Sequence, residues 1–250
     1  MYFNDVHIVY YIIIAIIGVF TGQLIDWANK RLPEYKKVFT IDIFKEYKNE
    51  FKINYLLCAV NAFINILILY NIGIHDTIIS NLDLIKYLVL TPMLLSVFVI
   101  DYKLQIIPNR LNLTMFEIGL IFTFIYGMSN VAISINMLLG MIVGAGIFLL
   151  ITFLGGMVYG KEAMVFGDVK LMGVLGLYFG LSNIIVIALL SFLIGAILSI
   201  VLLLTKIKKS DEYIPFGPFI VIATFIMIFV PFSIILNSLL AIFTLGLYKR

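Results

Sequence analysis

The chain has one cysteine, Cys58, and two histidines, His7 and His75, and only 12% of its 250 residues are charged. A lone cysteine excludes an internal disulfide and a cysteine-based metal site. The two histidines are far apart in the sequence and suggest no metal cluster. A soluble domain carries about 25% charged residues, so this scarcity argues against a water-facing surface. No internal repeat, low-complexity tail or proline-rich linker is evident, and there are only 6 prolines. No basic residue precedes the first apolar run; Asp5 does, and the positive charges follow it. That order excludes a cleaved secretory signal, so the run is expected to remain as a span with its N-terminus outside.

What the chain does have is length after length of apolar sequence. It is 63% hydrophobic, with a mean hydropathy of +1.14. Runs of roughly 17 to 25 residues, enough to cross a hydrocarbon core about 30 Å thick, follow one another. The expected spans are 7–26, 55–73, 83–101, 111–128, 132–154, 169–182, 184–205 and 214–230, with a shorter segment at 232–247. The fold class is therefore all-α, a polytopic transmembrane helical bundle of eight or nine spans. If all the segments cross, their loops alternate sides, and of the 17 Lys and Arg residues only Lys86 falls on the outer side. The positive-inside rule makes the crowded side cytoplasmic. This basic surface follows from topology, and no nucleic-acid partner is expected.

The sequence divides into an N-terminal part, 1–82, and a membrane bundle, 83–250. The first part contains the most polar stretch, KRLPEYKKVFTIDIFKEYKNEFK at 30–52, whose mixed charges and aromatics suit either a surface-lying amphipathic element or a solvated loop. Gly140, Gly144 and Gly146 share one span and Gly173, Gly176 and Gly180 another, a spacing that lets helices pack closely in lipid. The glycine-rich segment 155–167 reads as a mobile loop running into Asp168.

After Asp83, three of the 14 acidic residues touch predicted spans: Asp101, Glu117 and Asp168. Asp101 closes one span and Asp168 opens another two spans later, which returns the chain to the same face. Both carboxylates are thus expected at the cytoplasmic membrane boundary. Like charges about 3 Å apart do not both ionise, so one acid of such a pair holds a proton while the other acts as base on a water molecule. The plainer reading is two unrelated interfacial acids, each satisfied by water or by a lysine. Lys103 and Lys170 equally fit anchors that snorkel to headgroups. Glu117, about 9 Å into its span, fits a structural role.

The stretches IDYKLQIIPN, FGDVKLMG and IPFGPF occur in that order, after GQLIDWANKRLP behind the first span. Together they resemble the type IV prepilin peptidases, integral-membrane aspartic proteases, over residues 18–219. By that resemblance Asp101 and Asp168 take the catalytic positions, and Gly167 matches the glycine before the second acid. Lys103 and Lys170 would lie near the active site. Pro215, Phe216, Gly217 and Pro218 would form an element there too, unless the prolines simply begin a span. Pro108 and Asn109 match the turn into the next span, and Gly22, Arg31, Leu32 and Pro33 match the N-terminal element.

The resemblance implies cleavage of prepilins or pseudopilins after a leader glycine, at the cytoplasmic face of a bacterial cell membrane, with substrates entering through the lipid bilayer. It departs from the family at Val165, where a glycine is common, and at Gln23 and Asp26. Because 30–52 has no cysteine, no zinc is expected, and peptide hydrolysis needs no cofactor. Methylation of the new N-terminus from S-adenosylmethionine stays open. A different class of function, a small proton- or cation-coupled transporter using Asp101 and Asp168, would place its acids nearer the bilayer midplane. A presenilin-type protease would carry Pro-Ala-Leu where this chain has Pro-Phe-Gly-Pro.

Overall fold

The computed structural model describes residues 2–4, 6–34, 53–77, 79–159, 165–205 and 214–244. The stretch 30–52, read as amphipathic or looped, therefore lies mostly outside the described residues. Apart from a two-residue antiparallel pairing of β1 (Tyr2–Phe3) with β2 (Val6–His7), regular structure among the described residues is helical. A hydrocarbon core offers backbone groups no water, so each span must satisfy its own N–H and C=O groups, and a helix does this. Among the described residues six helices are long and apolar enough to cross a membrane. Many of their exposed side chains are apolar, as with Ile12, Ile16 and Phe20 on the first helix, while several polar side chains, Asn61 and Asn65 among them, are buried. The chain divides into two compact units, Met1–Leu111 and Asn112–Arg250.

The first unit packs α1 (Ile8–Arg31), α2 (Tyr55–Ile72) and α3 (Leu82–Leu104) against one another. Gly18 and Gly22, one turn apart on α1, lie directly against the α2 backbone. A Cβ on Gly18 would stand 2.6 Å from Ala62 Cα, and one on Gly22 would stand 2.7 Å from Cys58 Cα. Cys58 is thus a small packing residue. Beside this seam, buried Asn61 donates from Nδ2 to the Gly18 carbonyl and to Thr21 Oγ1, both at 2.7 Å.

Asn54 caps α2 by accepting from the Leu57 N–H at 3.2 Å. Its own N–H donates to Gln23 Oε1 at 3.2 Å, and its Nδ2 to Asp26 at 2.8 Å. Lys86, the one basic residue expected on the outer side, is buried and paired with Asp83 at 2.6 Å. At its other end, α3 stops at Gln105, which takes the left-handed conformation (φ 58°).

The second unit is built on α5 (Val131–Tyr159) and α6 (Phe166–Leu204), joined by most of α4 (Asn109–Ser129) and by α7 (Gly217–Phe229) and α8 (Phe232–Phe243). In the α5–α6 seam a Cβ on Gly140 would stand 2.6 Å from the Gly176 carbonyl oxygen, and one on Gly144 2.6 Å from that of Met172. A Cβ on Gly176 would overlap the Gly140 carbonyl itself. The glycines read as packing residues pack, with the exception of Gly146, which has nothing within 4 Å of its Cβ position.

The 39 residues of α6 would reach about 58 Å as one rod, far beyond a bilayer's hydrocarbon core. The helix instead breaks at Gly180 (φ 74°, ψ 179°), close to the boundary expected between spans 169–182 and 184–205. Asn136 of α5 caps the break, its Oδ1 accepting from the Leu181 N–H at 3.3 Å. The segment 155–167 is not a loop throughout: α5 continues to Tyr159 and α6 starts at Phe166. Helical hydrogen bonding near lipid outweighs the roughly 1 kcal/mol helix penalty of each glycine. α7 and α8, with 13 and 12 residues, are shorter than a full crossing.

Three stability outcomes follow, all read as thermal unfolding of the detergent-solubilised chain. Gly176→Val should destabilise by about 1–3 kcal/mol through overpacking, whereas Gly146→Ala should stay within about 0.5 kcal/mol of the parent. Asn54→Ala removes the α2 cap and its contact with Asp26, and should destabilise by about 1–2 kcal/mol.

Candidate active site

In the second unit Asp168 stands in the first turn of α6, its N–H donating to the Val165 carbonyl at 2.9 Å. That position suits a carboxylate, because the helix dipole presents partial positive charge there. The residue is only 2% exposed. Burying a carboxyl group this far costs several kcal/mol unless it is hydrogen-bonded, paired or protonated, which marks it as a functional candidate. Lys170 is exposed, with its ammonium 5.1 Å from the Phe166 ring centroid.

Gly167, immediately before the acid, accepts a hydrogen bond on its carbonyl from Asn112 Nδ2 at 3.3 Å. Asn112 comes from the first turns of α4 and is 3% exposed; its Oδ1 is buried without a partner. Three residues along the same helix, the Met115 carbonyl accepts from the Tyr178 hydroxyl at 2.8 Å. A Cβ on Gly119 would stand 3.0 Å from that tyrosine ring, so the ring fits against bare backbone. α4 is therefore tied to the first half of α6 at two points, one of them adjoining Asp168. Sequence reasoning missed Asn112. Its signal was a polar side chain just after Pro108 and Asn109, in a mainly apolar span.

In the first unit Asp101 lies near the end of α3 and is 3% exposed. The N–H of left-handed Gln105 donates to its carbonyl at 2.9 Å, closing the helix just beyond the acid. Lys103 is exposed. Together with Ile100, it borders a cavity of about 350 Å³ whose polar lining is Asp26, Asn29, Lys30 and Asn54. Asp26 is held there by Lys30 at 2.8 Å and by Asn54, and Asn29 Oδ1 accepts from the Ser96 hydroxyl.

Pro215–Pro218 sit at the start of α7, with Pro218 in its first turn. Phe216 packs with Phe148, Phe192 and Phe219 at centroid distances of 5.8, 5.1 and 5.7 Å. This element therefore packs against the second half of α6, where Gly195 leaves room for the rings. Glu117 is exposed on α4. Among the described residues no group of three or more His, Cys, Asp or Glu side chains gathers as a metal site.

Residues 88–200 match the type IV leader peptidase family. That segment contains Asp101, Gly167 and Asp168, and stops short of Pro215–Pro218. Several curated relatives named prepilin leader peptidase/N-methyltransferase are similar to the chain. The Pseudomonas aeruginosa protein is 36% identical over 139 residues, 56% of this chain and 47% of its own length. The Xanthomonas campestris pv. campestris protein is 34% identical over 143 residues, 57% and 48%. The Aeromonas hydrophila protein is 28% identical over 158 residues, 63% and 53%. The chain thus spans about half the length of the curated relatives it matches. No solved structure matches it. This chain, with six helices among its described residues long and apolar enough to cross a membrane, is thus similar to the type IV leader peptidase family over residues 88–200.

Proposed function

We propose that the protein is a membrane aspartic endopeptidase that removes the leader of prepilins or pseudopilins, with Asp101 and Asp168 as its catalytic pair. The observation that carries this reading is that the family segment holds two carboxyl residues only 3% and 2% exposed, each at the end of a membrane helix. An acid buried at such a place is expensive to keep without a use.

In the proposed reaction one carboxylate takes a proton from a water molecule as the water oxygen attacks the scissile carbonyl. The second, protonated carboxyl donates to the carbonyl oxygen, giving a tetrahedral diol. Collapse breaks the C–N bond and the leaving nitrogen takes a proton, so the leader ends in a carboxylate and the mature chain begins with a free amine. The cut follows the leader's glycine at the cytoplasmic face. Substrates, each a basic leader followed by an apolar helix, approach laterally from the bilayer of the bacterial cell membrane. Lys103 and Lys170, both exposed, are placed to meet lipid phosphates or the substrate backbone at that boundary.

The new amine is also the group that a methyltransferase would modify, as the relatives' names state for those proteins. S-adenosylmethionine would supply the methyl group as an electrophile. The cavity beside Asp26, with its carboxylate, two lysines and two amides, has donors and acceptors suited to the zwitterionic amino-acid end of that molecule. Asp26, Asn29 and Lys30 would hold it.

Cleavage of a prepilin-like substrate in membranes tests the peptidase reading. Asp101→Asn and Asp168→Asn should each lower cleavage by about 10²–10⁴-fold while the protein still inserts. Mass spectrometry of the product identifies the bond cut and any added methyl group. Cleavage at the parent rate in both variants would overturn the catalytic role of the two acids and favour a transporter role for them. In a Cys58→Ser background, Lys103→Cys and Lys170→Cys should react with a membrane-impermeant maleimide in inverted vesicles and not in right-side-out ones. The opposite pattern would reverse the proposed orientation.

A further inference from the structure

Asn112 belongs to no motif that suggested the peptidase, yet its side chain reaches the peptide bond that leads into Asp168. Its Nδ2 donates to the carbonyl of Gly167, the residue immediately before the acid, at 3.3 Å. That carbonyl lies at the N-terminal edge of α6, and the peptide bond it belongs to runs directly into the Asp168 backbone. Val165, the residue capping this helix, contributes no side-chain hydrogen bond. The start of α6 is therefore held by its own backbone turn and, from outside the helix, by Asn112.

A packing role does not require an amide at this place. Asn112 is 3% exposed, so its side chain has been taken out of water, and its Oδ1 has no partner to offset the loss. An unsatisfied buried acceptor of this kind is costly, and a leucine, branched at the same carbon, would avoid the cost. The amide is kept although only its Nδ2 is used, and that Nδ2 reaches the peptide next to the acid. The other tie between the same two helices, Tyr178 to Met115, lies about three turns further along α6 and needs no contact with Gly167.

We infer that Asn112 is a positioning residue for Asp168: by gripping the Gly167 carbonyl it fixes the first turn of α6 and so the direction in which the Asp168 carboxyl is presented. This inference rests on the proposed role of Asp168. Proteases depend on such fixing, since a misplacement of about 1 Å at the reacting group costs up to about 100-fold in rate. A hydrogen bond made to the backbone beside the acid acts on the catalytic step and leaves substrate binding elsewhere on the chain unchanged.

The experiment measures kcat and KM for cleavage of a prepilin-like substrate by the full chain in detergent or vesicles, for Asn112→Leu, Asn112→Ser and Tyr178→Phe. Asn112→Leu should lower kcat by about tenfold, equivalent to about 1.4 kcal/mol, with KM unchanged. Asn112→Ser, which keeps a donor, should recover part of that loss. Tyr178→Phe, which cuts the other tie, should leave kcat within about twofold of the parent. Thermal unfolding of all three guards against a global effect. Equal losses in Asn112→Leu and Tyr178→Phe, or a rise in KM alone, would overturn the inference in favour of plain packing or of substrate binding.

A double variant separates this inference from the reading beneath it. If Asp168→Asn alone leaves cleavage intact, the proposed catalytic role of Asp168 fails whatever Asn112 does. If Asp168→Asn abolishes most cleavage and adding Asn112→Leu lowers the remainder no further, Asn112 acts through Asp168. A full additional tenfold loss in the double variant would show that Asn112 acts independently and would refute the positioning role.

Discussion

Between helices in lipid there is little hydrophobic drive, because hydrocarbon tails are as apolar as leucine. Association then depends on how closely backbones approach, and in the second unit that means Gly140 against Gly176. Neither position has room for a Cβ, and Gly144 against Met172 continues the same seam one turn away. With α5 and α6 in backbone contact, the first half of α6 is fixed along its length. Tyr178 then reaches the Met115 carbonyl, Asn112 reaches Gly167, and the buried Asp168 follows from that register. The break at Gly180 belongs to the same scheme, since it faces Asn136 on the partner helix and lets one long apolar sequence serve as two segments.

The first unit uses the same device, with Gly18 and Gly22 against Ala62 and Cys58, and then adds polar contacts toward one end of the helices. Gln23, Asp26 and Asn54 exchange hydrogen bonds there, and Ser96 of α3 meets Asn29. Polar groups this deep in a membrane chain are expensive to bury, so they concentrate where partners or a cavity can satisfy them. Asp101 sits in the same unit, near the end of α3, with the cavity-lining Ile100 and Lys103 on either side of it.

Much of this was legible from residue types and their order. The apolar runs gave the helices to within a few residues, down to the division of 166–204 into two, because hydropathy and length respond to the same bilayer thickness. The glycine spacing pointed to packing, and the two acids stood out as the charges a membrane span should lack. Three things did not show. The start of α6 at Phe166 was hidden behind a glycine-rich stretch that looks like loop by composition. Gly18 and Gly22 gave no sign of which helix they face, and Asn112 looked like one more polar residue after a proline.

The sequence by itself determined the fold class, the number of apolar segments and their bias in charge, because each depends on composition over a window of about 20 residues. It also singled out Asp101 and Asp168, since an acid beside an apolar run is conspicuous one residue at a time. Only the tertiary structure decided which small residues meet, that Phe216 packs in an aromatic cluster, and that Asn112 holds the peptide before Asp168. Those facts depend on the rotation of each helix about its own axis. That rotation is set by the partner's surface, and hydropathy does not record it.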